Sequence, residues 1–303
     1  MDVLERTTTG SSWSGYRVVT AMTLAVIAVG TVGCGTSRPT VPSTTEPSNI
    51  STSTTPSPST TSTTPVSTGV SLYFLRGNYL GVAHRNTSMT GTIGATALSA
   101  LVGGPDIAES GAGLSSAIPV GTKVLGLRIS SGTATVDFNG AFSAPGTPGA
   151  ELDRVAQVVY TLTQFPSVTH VAFEISGSTP ATFASGAVSL SQPLGRNDVF
   201  GALPAILVET PAVGDSLHGI LHLSGLANVF EAQFNVLLIT ADGKVLIDQP
   251  VHATAGSGTW GTFDVTFPFT AAAAPTSTLR IYDTSMKDGS PIDEVDIHLP
   301  VAP

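Results

Sequence analysis

Apolar and polar positions alternate along this chain so as to predict many short strands and few helices. Val70-Ser-Leu-Tyr-Phe-Leu75 is an apolar run of strand length. Gly94, Ala97, Leu98 and Leu101 then recur at helical spacing until Gly103-Gly104-Pro105 stops them. Leu125, Leu127 and Ile129 alternate with small or polar positions, Ser131-Gly132 marks a turn, and Ala134, Val136 and Phe138 alternate with Thr133, Thr135 and Asp137. That pattern predicts a hairpin with one buried face. After Pro148-Gly149, helical spacing returns at Leu152, Val155, Ala156, Val159 and Leu162, with Glu151 and Asp153 in the first turn, where negative charge suits the helix dipole. Pro166 ends that helix, and Val171, Phe173 and Ile175 form a further alternating strand with His170 and Glu174 on its other face. Strand, helix, paired strands, helix, strand predicts an α+β two-layer sandwich over residues 70–196, with helices covering one face of a small sheet.

The remainder, residues 203–303, reads as strands only: Ala205–Val208, Leu217–Leu223, Ala232–Thr240, Lys244–Gln249, Thr262–Phe269, Thr278–Tyr282 and Ile292–Leu299. Asp242-Gly243 suits a tight hairpin, and Phe263, Val265 and Phe267 supply one buried face. About seven short strands in about 100 residues predicts an all-β immunoglobulin-like sandwich. Cys34 is the single cysteine, so the sandwich carries no internal disulfide and the chain no multi-cysteine metal cluster.

Ahead of both domains, residues 1–17 are polar and end in Arg17, and Val18–Val32 is apolar apart from Thr and Gly. This run of about 15 residues falls short of the ~20 that span a ~30 Å hydrocarbon core, so it reads as the apolar part of a signal peptide over 1–34. An uncleaved membrane anchor is the competing reading and leaves the domains on the same side. Val32-Gly33-Cys34 resembles a bacterial lipobox, with Thr31 in the place most such motifs give to Leu. The resemblance implies a lipid on Cys34, with palmitate among its acyl chains, and hence a cell-membrane lipoprotein on the extracytoplasmic face. At about 0.8 kcal/mol per buried CH₂, two or three acyl chains hold firmly. Residues 35–69 are Ser, Thr and Pro with almost no charge, a disordered linker about 30 Å end to end as a coil. Its hydroxyls suit O-glycosylation, although a plain solvated tether is the better reading of the composition.

Charged residues make up 11% of the chain and the net charge is −9, which leaves no basic surface for nucleic acid. Arg exceeds Lys, and Ala, Gly, Val and Thr are abundant, hinting at a high-GC actinobacterium. The sequence offers no catalytic constellation: no Gly-x-Ser-x-Gly elbow, His-Glu-x-x-His helix or phosphate-cradling loop. His218 and His222 have a helical ligand spacing but fall in a strand, where they stand roughly 13 Å apart and cannot share a metal. His170 and Glu174 are separated in the same way, and Asp137 either faces water or bonds a neighbouring strand. Glu231 ends a loop and suits a structural hydrogen bond to backbone amides or a partner contact. Trp260 is a candidate anchor for a sugar or peptide, against the plainer reading of packing. No cofactor or metal is expected.

Residues of both domains carry family resemblances. Leu72-Tyr-Phe, Leu98-x-x-Leu101-x-x-Gly104-Pro105, Ile118-Pro119-x-Gly121-Thr122, Ala134-x-Val136-Asp137 and Gln157-Val-Val-Tyr160-Thr-Leu-Thr163 resemble the GerMN domain of sporulation and spore germination. Pro211-x-x-Gly214, Gly225-Leu-Ala-Asn-Val-Phe-Glu231-Ala, Gly261-x-Phe263 and Ser285-x-Lys-Asp-Gly289 resemble the immunoglobulin-like domain of bacterial spore germination. The pairing implies an extracytoplasmic interaction module without a catalytic residue set. The leading expectation is therefore a lipid-anchored, noncatalytic adaptor of the cell envelope that organises a protein complex. A peptidoglycan- or carbohydrate-binding module is the alternative, and a cell-wall hydrolase is third.

Overall fold

The computed structural model describes residues 67–89, 91–270 and 276–301, all within one compact unit, Thr61–Pro303. The expected signal peptide, Cys34 and the linker up to residue 66 lie outside the described residues.

Strands β1 (Ser67–Arg76) and β2 (Tyr79–Ser88) form an antiparallel hairpin. β1 begins ahead of the expected boundary at residue 70, because Ser67, Thr68 and Gly69 pair with Ser88, Thr87 and Asn86, and backbone pairing needs no apolar side chain. Helix α1 (Ile93–Val102) follows, capped by Thr92 Oγ1. The short α2 (Ile107–Gly111) is closed by a reciprocal capping box between Asp106 and Glu109. β3 (Leu114–Ser115) pairs with the end of β1; β4 (Val124–Ser130), β5 (Thr133–Phe138), α3 (Pro148–Leu162) and β6 (His170–Ile175) complete the domain, with β5 and β6 parallel.

The domain is α+β, but its strands fall into two three-stranded sheets, β2-β1-β3 and β4-β5-β6. Nor does α3 lie over one face of a sheet: every residue from Arg154 to Leu162 is buried, so the helix is enclosed. Its polar side chains explain how. Among the described residues no strand lies beside the outer edge of β1 beyond the short β3, and α3 with the turn that follows it supplies the missing partners. Gln164 accepts from the Ser71 N–H (2.9 Å) and donates to the Ser71 carbonyl (2.7 Å), Thr161 accepts from the Tyr73 N–H (3.2 Å), and Gln157 donates to the Tyr73 carbonyl (3.1 Å). Gln157 and Thr161 of α3, and Gln164 in the turn just past its end, are spaced i, i+4, i+7 and aim along one strand. Glu151 is likewise buried and receives the Ser185 N–H and hydroxyl.

The expected buried face of the β4–β5 hairpin is confined to β5. Ala134, Val136 and Phe138 are fully buried, whereas Leu125 and Ile129 are 55% and 44% exposed. β4 is an outer strand whose register shifts between Val124 and Gly126, and α1 covers it only in part.

The second domain packs two antiparallel sheets face to face. One has the order β11 (Gly261–Pro268), β8 (Ile220–Ala227), β7 (Ile206–Thr210); the other β10 (Val245–His252), β9 (Gln233–Thr240), β12 (Thr276–Thr284), β13 (Pro291–Pro300). Leu221, Leu223, Phe234, Val236, Leu238, Leu279 and Ile281 interdigitate between them. The fold is the all-β, immunoglobulin-like sandwich that the alternation predicts. Of the face predicted on β11, Phe263 is fully in the core while Val265 and Phe267 are half-buried.

The seam between the domains as candidate functional site

The two domains share backbone hydrogen bonds. The His84 N–H of β2 donates to the Val213 carbonyl (2.7 Å) and the Val213 N–H donates to the Val82 carbonyl (3.3 Å), so a segment just past β7 lies parallel to β2. Gly214, at φ +103°, follows; a Cβ there would stand 2.2 Å from the His84 carbonyl oxygen, so only glycine permits the approach. This gives the Pro211-x-x-Gly214 motif a physical role.

Beneath the strand pairing lies a polar knot. Tyr73 Oη donates to Glu209 Oε1, Arg196 Nη1 donates to the same oxygen (2.7 Å), Arg196 Nη2 donates to Tyr73 Oη (3.3 Å), and Arg196 Nε donates to Thr163 Oγ1 (3.0 Å). The guanidinium also lies over the Tyr160 ring, 4.5 Å from its centroid. Burial, reinforced by the Glu209 charge, pushes the Tyr73 phenol far above its ordinary value, and burial does the same to Tyr160. Both stay protonated and act as donors or packing groups. Tyr73 belongs to β1, Arg196 to the connecting segment and Glu209 to β7, so one knot ties three parts of the chain. Arg76 adds a fourth tie, donating to the Asp296 carbonyl on the outer edge of β13 (3.2 Å).

At the rim, His84 Nδ1 meets Asp215 Oδ2 at 2.7 Å, and the same oxygen accepts from the Ala212 N–H (2.9 Å). Burial pushes the Asp215 carboxyl up, but the His84 and Ala212 hydrogen bonds outweigh it and hold the carboxyl below its ordinary 3.8. A carboxyl held low favours the folded state above its unfolded value and loses that contribution as pH falls through the lowered one. Acid titration is therefore expected to weaken the seam below about pH 4, and Asp215→Asn should flatten that part of a stability-against-pH profile while leaving the knot around Glu209 in place.

Trp260 belongs to this seam. Its ring packs 5.2 Å from Phe200, which lies in the 3-10 turn Arg196–Ala202, and it leans against the first domain's core together with Leu226. Glu231 sits elsewhere. Its side chain is exposed, its backbone is left-handed (φ 53°), and the bond that fixes it runs from its own N–H to Ser257 Oγ (3.0 Å). The geometry thus differs from a carboxylate bonded to backbone amides: the loop 228–232 is clamped by Ser257 and Gly258, and Glu231 points outward. His218 precedes β8 rather than lying in it, and His222 pairs with Asp264 (2.8 Å) on an open face. Glu174 pairs with Arg128, His170 with Thr169, and Asp137 accepts from the Gly177 N–H (3.0 Å). Among the described residues, no three His, Cys, Asp or Glu side chains are placed to hold one metal ion, and no helix is long and apolar enough to cross a membrane.

Residues 71–180 match the Germane family, described as sporulation and spore germination, and residues 205–290 match Gmad2, the immunoglobulin-like domain of bacterial spore germination. The chain carries a Germane domain followed by a Gmad2 domain. Among solved structures, the first GerMN domain of the sporulation protein GerM from Bacillus subtilis is 26% identical, with a TM-score of 0.35, over 43% of this chain and 98% of that one. The tandem GerMN domains of the same protein are 21% identical, with a TM-score of 0.37, and this chain covers 59% of their length. A lipoprotein from Clostridium perfringens is also similar, at 21% identity and a TM-score of 0.33, over 44% of this chain and 89% of that one. No curated protein matches the chain. Tyr73 lies in the Germane domain and Glu209 in Gmad2, so their contact joins one family domain to the other. Sequence reading gave Tyr73, the Gln157 motif and Gly214 to the families without a role, and missed Arg196 and Glu209. Only the fold brings Tyr73, Arg196 and Glu209 together.

Proposed function

We propose that this chain is a noncatalytic adaptor of the bacterial cell envelope, lipid-anchored through Cys34 on the extracytoplasmic face, whose Germane and Gmad2 domains present one joined surface to an envelope protein partner. The observation that carries this reading is the seam. Arg196, Glu209, Tyr73, Arg76, His84 and Asp215, groups that could do chemistry elsewhere, are spent on holding two domains together. A joined pair of domains fixes the spacing between two sets of surface loops, which is what an organiser of a complex needs and what a lone binding module does not.

The test is crosslinking in living cells with a tagged chain, followed by mass spectrometry, beside a Cys34→Ala variant. Reproducible enrichment of one envelope protein, falling severalfold with Cys34→Ala as the chain leaves the membrane fraction, is the expected outcome. Equal recovery of that protein from both variants would overturn the anchored part, and the absence of any enriched protein would overturn the adaptor.

A further inference from the structure

A groove of 320 Å³ opens where β1, β2 and the loop after β7 meet, within the size range of small-molecule sites. Gly69, Ser71, His84 and Asn86 share one face of the β1–β2 hairpin, since Ser71 stands opposite His84 and Gly69 opposite Asn86. Gly214 and Asp215 close the groove from the Gmad2 side.

Its polar atoms are only partly committed. The Ser71 hydroxyl and the Asn86 amide are engaged by no described residue. His84 uses Nδ1 on Asp215 and keeps Nε2; Asp215 uses Oδ2 on His84 and Ala212 and keeps Oδ1. A carboxylate can only accept, so His84 donates from Nδ1 to Asp215 and leaves Nε2 for a ligand. Arg85, the one cation at the lining, alternates to the other face, where it donates to the Glu109 carboxylate and the Gly104 carbonyl. The groove therefore offers the Asp215 Oδ1 acceptor, the His84 Nε2 and two groups that both donate and accept, while Arg85 is committed to Glu109 and His84 is paired with Asp215.

With Asp215 in the lining and Arg85 committed to Glu109, the groove disfavours phosphate and carboxylate ligands, and its polar lining disfavours purely apolar ones. It fits a ligand whose groups donate as well as accept and carry no charge. We infer that the groove binds a neutral, hydroxyl-rich ligand the size of a disaccharide, with Ser71, His84, Asn86 and Asp215 reading its hydroxyls. This activity is separate from the adaptor role and does not rest on it.

The full chain, purified in detergent, is titrated calorimetrically with the disaccharides diacetylchitobiose and mannobiose. Saturable binding in the millimolar range or tighter is expected for one of them, weakened about tenfold, ~1.4 kcal/mol, by Asn86→Ala and by Ser71→Ala. Asn78→Ala, at the far end of the same hairpin, should leave it unchanged. Preference for the acetamido sugar assigns the ligand to the cell wall; preference for mannobiose assigns it to a protein- or lipid-linked glycan. Failure of both sugars to bind at about 10 mM, indifference to Asn86→Ala and Ser71→Ala, or displacement by inorganic phosphate would each overturn the assignment.

Discussion

Replacing Gln157 with Leu is expected to cost about 2–5 kcal/mol of stability, far more than its near-constant volume suggests. The amide of Gln157 receives the part-buried Ala117 N–H (2.8 Å) and donates to the buried Tyr73 carbonyl (3.1 Å), and both backbone groups would lose their partner, the Tyr73 carbonyl inside. An unsatisfied buried backbone group costs about 1–3 kcal/mol, and a second, part-buried one is created with it. Urea unfolding monitored by the tyrosine environment should show the midpoint move down sharply. A shift worth less than about 1 kcal/mol would mean that β1 finds other partners for its outer edge, and that α3 is not standing in for a strand.

Gly214→Ala should act first on the seam and on the edge of the first core that Ala212 and Val213 complete. The new Cβ would meet the His84 carbonyl oxygen at 2.2 Å, with backbone already at φ +103°, so the segment at Val213 has to withdraw from β2. The core positions away from the seam, Leu221 and Phe234 on one side and Tyr160 and Phe173 on the other, are not touched by the new Cβ. The expected signature is exchange of the His84 amide hydrogen accelerated about 100-fold, ~3 kcal/mol of local opening, with the α3 amides slowed or unchanged. Uniform acceleration throughout the chain would instead show that the seam and the cores open together and that the substitution is globally disruptive.

Much of this architecture is legible in the residues. The Gmad2 strands alternate cleanly, as in Phe234, Val236 and Leu238 of β9, because each is half-buried in a two-sheet sandwich and so carries a period of two. β2 is harder to read. Leu80, Gly81, Val82 and Ala83 are buried in succession, and the strand then runs on through His84-Arg85-Asn86-Thr87, polar residues that serve the seam, the groove and an ion pair with Glu109. The short α2 did leave a signal in Asp106 and Glu109, three apart, but five residues are too few to show a helical period. α3 was visible as a helix from Val155, Val159 and Leu162, yet its enclosure was not, because Gln157, Thr161 and Gln164 read as a solvent face until β1 is laid beside them. Packing is the plainer sequence reading of Trp260, but its partner is not legible there: Phe200, 60 residues earlier, meets the ring only in the fold.

The candidate site was the least legible part. Tyr73 and Glu209 are separated by 136 residues, and nothing local marks either as special. Their meeting depends on Gly214 permitting the close approach and on Arg196 lying between them, which are properties of docking and not of any one strand.

The most direct test of the joined Germane–Gmad2 unit is native-state hydrogen exchange at His84 and Val213, the two amides that cross the seam. If the domains act as one body, both amides exchange only through the same slow opening as the enclosed α3, with matching dependence on urea. Rapid exchange at His84 and Val213 beside protected α3 and β9 amides would show two domains hinging freely, and would contradict the account.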